Sequence, residues 1–145
     1  MEKNNPQRKF LIATHGTFAA GIKSSLDIII GAMDNVFLIQ AYVDENIQVE
    51  TQIKEVLEQL NDEDELIVFS DIMGGSITNQ VLQHLLGPNV HVVSGFNLPL
   101  VIDILLSDTA TPAEEVINTS IENAREQMVY VNKLLATQNT SADND

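Results

Sequence analysis

Two short runs in this chain are apolar at every position: Phe10-Leu11-Ile12-Ala13, inside residues 9–14, and Leu66-Ile67-Val68-Phe69. A strand with no polar alternation must be covered on both faces, which is the condition of a strand inside a parallel sheet. Parallel neighbours cannot be joined by a tight turn, so each pair needs a long crossover, usually a helix. The chain supplies them. Phe18, Ile22, Leu26, Ile29 and Ile30 recur at steps of three and four and stop before Gly31, an amphipathic helix with a glycine stop. Residues 36–43 are β-branched and aromatic and read as a second strand. Val49, Ile53, Val56, Leu57 and Leu60 line one face of a second helix, with Asp44-Glu45-Asn46 offered as its cap.

The pattern continues past the third strand. The acidic run Asn61 to Glu65 reads as a solvated turn, and Asp71 to Ser76 as a loop. Ile77 to Leu86 is a helix halted by Gly87-Pro88, Val90 to Ser94 a fourth strand, and Leu100 to Leu106 an apolar helix. Thr111-Pro112-Ala113-Glu114 reads as a helix start, with Thr111 as cap and Glu114 completing a capping box, and this helix runs to about Gln127. Val129 and Val131 alternate with Tyr130 and Asn132, the pattern of a final strand. The predicted fold is an α/β domain: an open, mainly parallel sheet of four strands in the order 2-1-3-4, helices on both faces, and a C-terminal edge strand. That edge strand can pair within its own chain or add to a partner's sheet. The expected organisation is a flexible N-terminus over 1–8, one domain over 9–135, and a polar, disordered tail over 136–145.

Composition narrows the chemistry. With no cysteine among 145 residues, a disulfide scaffold, a Cys-based zinc site and a thiol nucleophile are all excluded. The three histidines show no HxxxH or HxH spacing, so no metal and no cofactor is expected. Lys and Arg number 7 against 21 Asp and Glu, and from Phe10 onward only Lys23, Lys54, Arg125 and Lys133 remain. A duplex-binding surface needs clustered cations to release counterions, so nucleic acid is excluded as a partner. A net charge of −14 suits a basic protein partner, or serves solubility alone. No apolar run approaches the ~20 residues that span a bilayer, and residues 1–9 lack the apolar core of a signal peptide. The reading is a soluble, cytoplasmic protein.

In an open parallel sheet the ligand site lies beyond the carboxyl ends of the strands, where the strand order reverses. For the order 2-1-3-4 that point falls between strands 1 and 3. Strand 1 ends in Thr14-His15-Gly16, and strand 3 ends in Ser70-Asp71 followed by Met73-Gly74-Gly75-Ser76. Neighbouring strands lie about 4.8 Å apart, so an imidazole and a carboxylate distant in sequence meet there. An imidazole attacks a phosphoryl group only through an unprotonated nitrogen. A carboxylate accepting a hydrogen bond from the other nitrogen fixes that tautomer and stabilises the charge that develops on the ring. Asp71 is placed to do this for His15. The N–H groups of Gly74, Gly75 and Ser76 lead into a helix N-terminus, where the dipole and the open donors favour an anion, and the Ser76 hydroxyl adds a donor. Each feature also has a bland reading. Gly-Gly-Ser can be a tight loop, Asp71 a helix cap, and His15 a surface residue; their convergence at one point favours the chemistry. His84, mid-helix beside Leu85-Leu86, and His91, near a strand start at the opposite end of the sheet, read as structural.

Two other functions fit the same switch point. One is a flavodoxin-like module that binds an anion without phosphotransfer. It is disfavoured for a flavin because the chain has no Trp, Tyr only at 42 and 130, and few aromatics near the loops. The other is a small phosphatase, disfavoured by the scarcity of Lys and Arg near the motifs for clamping a small substrate.

Thr14-His15-Gly16-Thr17-Phe18-Ala19 and Asp71-Ile72-Met73-Gly74-Gly75-Ser76-Ile77-Thr78-Asn79 together resemble the mannose-family enzyme IIA domains of the bacterial phosphoenolpyruvate-dependent sugar phosphotransferase system. Gly95-Phe96-Asn97-Leu98-Pro99-Leu100 resembles that family's third signature, and the likeness spans roughly residues 9–135. The resemblance implies a phosphocarrier: HPr donates a phosphoryl group to His15, and His15 passes it to a histidine of the cognate enzyme IIB. It implies Asp71 as the orienting carboxylate and Gly74, Gly75 and Ser76 as the phosphate-binding loop. It further implies a homodimer that exchanges the C-terminal strand, here about Gln127 to Leu135, and a link to the membrane only through IIC and IID. Ile72, Met73 and Ile77 depart from the Thr, Trp and Pro that some mannose-type members carry at these loop positions.

Overall fold

The structure is a computed structural model that describes residues 7–143. Four parallel strands, β1 (Arg8–His15), β2 (Val36–Ala41), β3 (Glu65–Ser70) and β4 (Val90–Ser94), alternate with helices α1 (Phe18–Ile29), α2 (Val49–Glu58), α3 (Ser76–Leu85) and α4 (Leu98–Leu105). Helices α5 (Ala113–Glu126) and α6 (Val131–Asp143) complete the order. The sheet runs β2-β1-β3-β4, every pair parallel, as expected.

The doubly apolar strands divide their side chains between two cores. Phe10 and Ile12 of β1, Ile67 and Phe69 of β3 and Val93 of β4 pack with α1, α4 and α5. Leu11 and Ala13 of β1, Leu66 and Val68 of β3, and Ile39 and Ala41 of β2 pack with α2 and α3. Successive residues of a strand point to opposite faces, so the central strands β1 and β3 are fully buried while helices cover both sides. Full burial of a side chain such as Phe69, with no exposed surface, contributes about 1.5–3 kcal/mol. Shielded backbone at the centre of the sheet makes a rigid platform, and the carboxyl ends of β1 and β3 deliver the site residues from it.

Three local expectations are corrected. Asp44 does not cap α2: its carboxylate accepts the Asn46 N–H at 2.9 Å in a short turn, and the helix begins after Gln48 with no side-chain cap. Thr111 does not cap α5, which begins after Pro112 without a side-chain cap. The Thr111 carbonyl instead accepts from Arg8 at 2.8 Å, so the turn before α5 is shaped by its tie to β1. Residues 127–135 do not form the expected edge strand, nor are residues 136–143 an unstructured tail. Residues 131–143 are α6, and 128–130 carry no regular structure. A strand needs a sheet edge brought to it, whereas a helix closes its own backbone hydrogen bonds. Val131, Leu134 and Leu135 also fall at helical spacing, a signal that outweighs the short alternation before it. The expected flexible N-terminus lies outside the described residues over 1–6, and Arg8 already belongs to β1.

The acidic run before β3 is likewise more than a solvated turn. The Asp64 side chain is fully buried and accepts from the Gln7 N–H at 3.0 Å, the Asn61 N–H at 2.9 Å and Lys9 Nζ at 2.8 Å. Burial alone raises its pKa, but the Lys9 ammonium and the two amides outweigh it, and the carboxyl titrates below the usual range. Asp64 thus ties the amino ends of β1 and β3 together. Asp64→Ala leaves a partly buried ammonium and two amides without their acceptor, and we expect a loss of about 3 kcal/mol. A urea unfolding midpoint that falls at constant slope checks this, and an unchanged midpoint counts against it.

Candidate functional site

The site lies where β1 and β3 end side by side. β1 pairs with β2 on one side, His15 opposite Ala41, and with β3 on the other, Ala13 opposite Ser70. The chain after β3 therefore emerges next to His15. Asp71 Oδ2 accepts from the His15 ring Nδ1 at 2.9 Å and from the His15 backbone N–H at 2.9 Å. One carboxylate oxygen thus holds both the residue and its ring. Because an ionised carboxylate can only accept, Nδ1 must carry a proton, and in the neutral ring Nε2 then keeps its lone pair.

The environment keeps Asp71 ionised. Its side chain is 10% exposed and the His15 side chain 38%. Burial pushes the Asp71 pKa up, but the His15 backbone amide, the His15 ring and its charge act against it, and the net displacement is downward. Nδ1 thus faces the interior and the carboxylate, while Nε2 faces the more open side.

On that open side sits the loop between β3 and α3. Gly74 turns the chain with φ +77°, a conformation that a residue with a Cβ rarely adopts. Gly75 lies flush against the imidazole: a Cβ there would meet the Ile72 carbonyl at 3.3 Å and His15 Cε1 at 3.4 Å. No side chain caps α3, so its first-turn N–H groups are left open beside His15. Ser76 Oγ lies 3.4 Å from His15 Nε2. The structure therefore brings His15, Asp71, Gly75 and Ser76 together, with Gly74 making the turn that allows it. The arrangement offers an imidazole nitrogen held ready for attack beside helix-end donors for an anion.

Sequence reading missed three contributors. Thr14 is fully buried, and its Oγ1 accepts from the Ala19 N–H at 2.8 Å, fixing the turn from β1 into α1. Buried Thr78 Oγ1 donates to the Ile72 carbonyl at 2.6 Å and lies 2.8 Å from Ser70 Oγ, pinning the loop to the end of β3. Tyr42, given no role by the sequence pattern, has its ring centroid 5.8 Å from that of His15 and its hydroxyl 2.8 Å from Ser76 Oγ. The Gly95–Leu100 segment serves the fold: Asn97 accepts the Leu100 N–H at 2.9 Å to cap α4 and donates to the Ala124 carbonyl at 3.1 Å. Phe18, Ile72 and Met73 are exposed, with Phe18 stacked on Phe96 at 5.6 Å. His91 Nε2 lies 3.5 Å from Glu65, at the opposite end of the sheet, and His84 sits half-buried in the last turn of α3. Among the described residues no group of three His, Asp or Glu side chains could hold a metal ion. No described helix is long and apolar enough to cross a membrane.

The chain is an open α/β domain with a 2-1-3-4 parallel sheet, and a histidine–carboxylate pair and a glycine loop meet at its switch point. Residues 9–121 match the model of the PTS system fructose IIA component family, EIIA-man, and the chain belongs to that family. It is a IIA-type component of the sugar phosphotransferase system. A Klebsiella pneumoniae protein described as a phosphoenolpyruvate-dependent sugar phosphotransferase system permease is 33% identical. It superposes with a TM-score of 0.84 over 93% of this chain and 98% of its own. The PTS IIA protein associated with the fucose utilization operon of Streptococcus pneumoniae is 29% identical, with a TM-score of 0.77 over 92% and 99% of the two chains. The mannose/sorbose-specific IIA subunit from Enterococcus faecalis, at 18% identity and a TM-score of 0.71 over 85% and 93%, shares the fold.

The lowered pKa of Asp71 carries a sign. A depressed carboxyl means that the unfolded chain binds more protons than the folded one between the folded pKa and about 3.9. Its stabilisation is therefore complete above that range and is lost as pH falls through the folded value. We expect the stability gap between wild type and Asp71→Asn to be widest near neutrality and to narrow on acidification below about pH 5. Urea unfolding at a series of pH values measures it, and a gap that stays constant into acid removes the charge contribution.

Proposed function

We propose that this protein is a phosphocarrier in which His15 Nε2 accepts a phosphoryl group from phospho-HPr and passes it to a histidine of the cognate enzyme IIB. The observation that carries this reading is the 2.9 Å contact between His15 Nδ1 and Asp71 Oδ2, which leaves Nε2 as the unprotonated, outward nitrogen. In transfer, the Nε2 lone pair forms the new N–P bond while the N–P bond of the donor breaks, and the donor nitrogen keeps that electron pair. The Nδ1 proton stays shared with Asp71, whose charge stabilises the cationic phospho-imidazole. The PO₃ unit passes between in-line nitrogens through a loose transition state, so positioning and charge stabilisation are what the protein must supply. The Ser76 hydroxyl and the uncapped first turn of α3 supply donors for its oxygens, while the Gly75 N–H is turned to the Ile72 carbonyl at 3.3 Å.

The surroundings suit a basic protein partner. Tyr42, Asp44, Glu45, Ile47 and Glu50 line a cleft beside the site, and Phe18, Ile72 and Met73, on the segments that follow β1 and β3, are exposed. Apolar contacts ringed by acidic groups fit a docking face for a small cationic protein. The homodimer is part of the same reading. Met128, Val129, Tyr130, Val131, Leu134 and Leu135 are all exposed in the single chain, an apolar run that a second copy would cover. The fold and site favour phosphotransfer over a flavodoxin-like binding module, because anion binding alone needs no carboxylate behind the imidazole.

Incubation with phosphoenolpyruvate, enzyme I and HPr should add one acid-labile phosphoryl group to the intact mass. His15→Ala should abolish the addition; an unchanged signal in that variant rejects His15 as the acceptor. Asp71→Asn should slow transfer in both directions by at least about tenfold, as expected when a buried charge partner worth ~1.5–3 kcal/mol is lost. Sedimentation of the full chain should give a dimer, and Val129→Glu combined with Leu134→Glu should shift it to monomer. A monomeric wild type would remove the dimer from the proposal.

A further inference from the structure

Tyr42 has features that the fold does not account for. It follows β2 directly, is 57% exposed, and is the one non-glycine residue with positive φ, at +67°, among the described residues. A side chain with a Cβ pays in backbone strain for that conformation, and such strain persists only where surrounding contacts fix it. The alternation of β2 shows what the turn achieves. Ile39 and Ala41 face the core under α2 and α3, while Val36 and Leu38 pack on the face of α1, α4 and α5. Were β2 to continue one residue, Tyr42 would fall on the latter face. His15 follows Leu11 and Ala13 on the α2–α3 face. The left-handed turn at Tyr42 moves its ring across the sheet edge to within 5.8 Å of the imidazole. There its hydroxyl lies 2.8 Å from Ser76 Oγ.

Resting on the phosphocarrier reading, we infer that Tyr42 is a positioning residue for phosphotransfer at His15, acting through Ser76. The donor order follows from Asp71. Because Asp71 accepts from Nδ1–H, Nε2 of the neutral ring can only accept, and Ser76 Oγ–H at 3.4 Å is its donor. A serine hydroxyl has one proton, so once it is given to Nε2 the Ser76 oxygen can only accept from Tyr42. The chain therefore runs from Tyr42 to Ser76 to Nε2, with each O–H oriented by the next acceptor. When Nε2 gains a phosphoryl group it loses its lone pair, and the Ser76 O–H, still covalently intact, loses that acceptor. Tyr42 still holds Ser76 Oγ by donating to it, so the O–H is free to turn to a phosphoryl oxygen. The Tyr42 ring also lies tilted at 39° beside the imidazole, with centroids 5.8 Å apart.

Tyr42→Phe keeps the ring and removes only the donor. Loss of one net hydrogen bond predicts an acceptance rate from phospho-HPr lower by about threefold to tenfold. The thermal midpoint should stay where it is. Because Tyr42 acts through Ser76, the double variant Tyr42→Phe/Ser76→Ala should transfer no more slowly than Ser76→Ala alone. In the unphosphorylated protein, Tyr42→Phe should shift the ¹⁵N resonance of His15 Nε2, a readout that a purely structural tyrosine would not move. A Tyr42→Phe rate equal to wild type overturns the inference, as does an equal further loss on the Ser76→Ala background. If the wild-type protein takes up no phosphoryl group, the phosphocarrier reading fails. The Nε2 resonance then decides the hydroxyl chain independently: a shift retains it and an unmoved resonance rejects it.

Discussion

The site depends on one carboxylate oxygen. Asp71 Oδ2 accepts both the backbone N–H and the ring Nδ1 of His15, so it fixes the end of β1, the orientation of the imidazole and the location of its proton together. Such a double acceptor works only if the carboxylate stays ionised while largely withdrawn from water. Burial raises its pKa, but the two bonds from His15, joined by the ring's charge when the imidazole is protonated, outweigh that cost and hold the carboxyl below its ordinary value. Everything on the far side of the ring, from Gly75 to the hydroxyl of Ser76, takes its donor or acceptor role from that choice.

The rest of the fold makes the contact possible at low cost. β1 and β3 are central, parallel and buried on both faces, so their carboxyl ends have little freedom to drift. At the opposite end Asp64 and Lys9 hold the same two strands in register, and Thr78 pins the glycine loop to β3. The site itself is left comparatively open. α3 has no side-chain cap, and Gly75 offers bare backbone to the imidazole. Burial is concentrated in the sheet, and the end of α3 next to His15 is left without a side-chain cap.

Much of this was legible in the residues. Unbroken apolar runs at Phe10–Ala13 and Leu66–Phe69 dictate burial on both faces, and burial on both faces dictates helical crossovers and a parallel sheet. From there the switch point follows, and with it the meeting of His15 and Asp71. Caps were less legible. Asp44 and Thr111 have the right chemistry for helix starts, but a side chain that bonds within a short turn, or a turn tied to Arg8, is decided by contacts distant in sequence. The C-terminal segment was misread because Val129-Tyr130-Val131 fits a strand over three residues, while Val131, Leu134 and Leu135 fit a helix over a longer window. Tyr42 carried no local signal, since its reach to His15 depends on a backbone angle that composition does not reveal.

By itself the sequence determined the layering of the domain, the order of its strands and the two residues that meet at their ends, because burial and crossover geometry follow from pattern alone. Only the tertiary structure decided which imidazole nitrogen faces outward, which carboxylate oxygen holds the other, and that a strained tyrosine reaches the same site. Those outcomes depend on directions of individual bonds, set by packing from several elements at once. A linear pattern of polar and apolar residues carries no record of such directions.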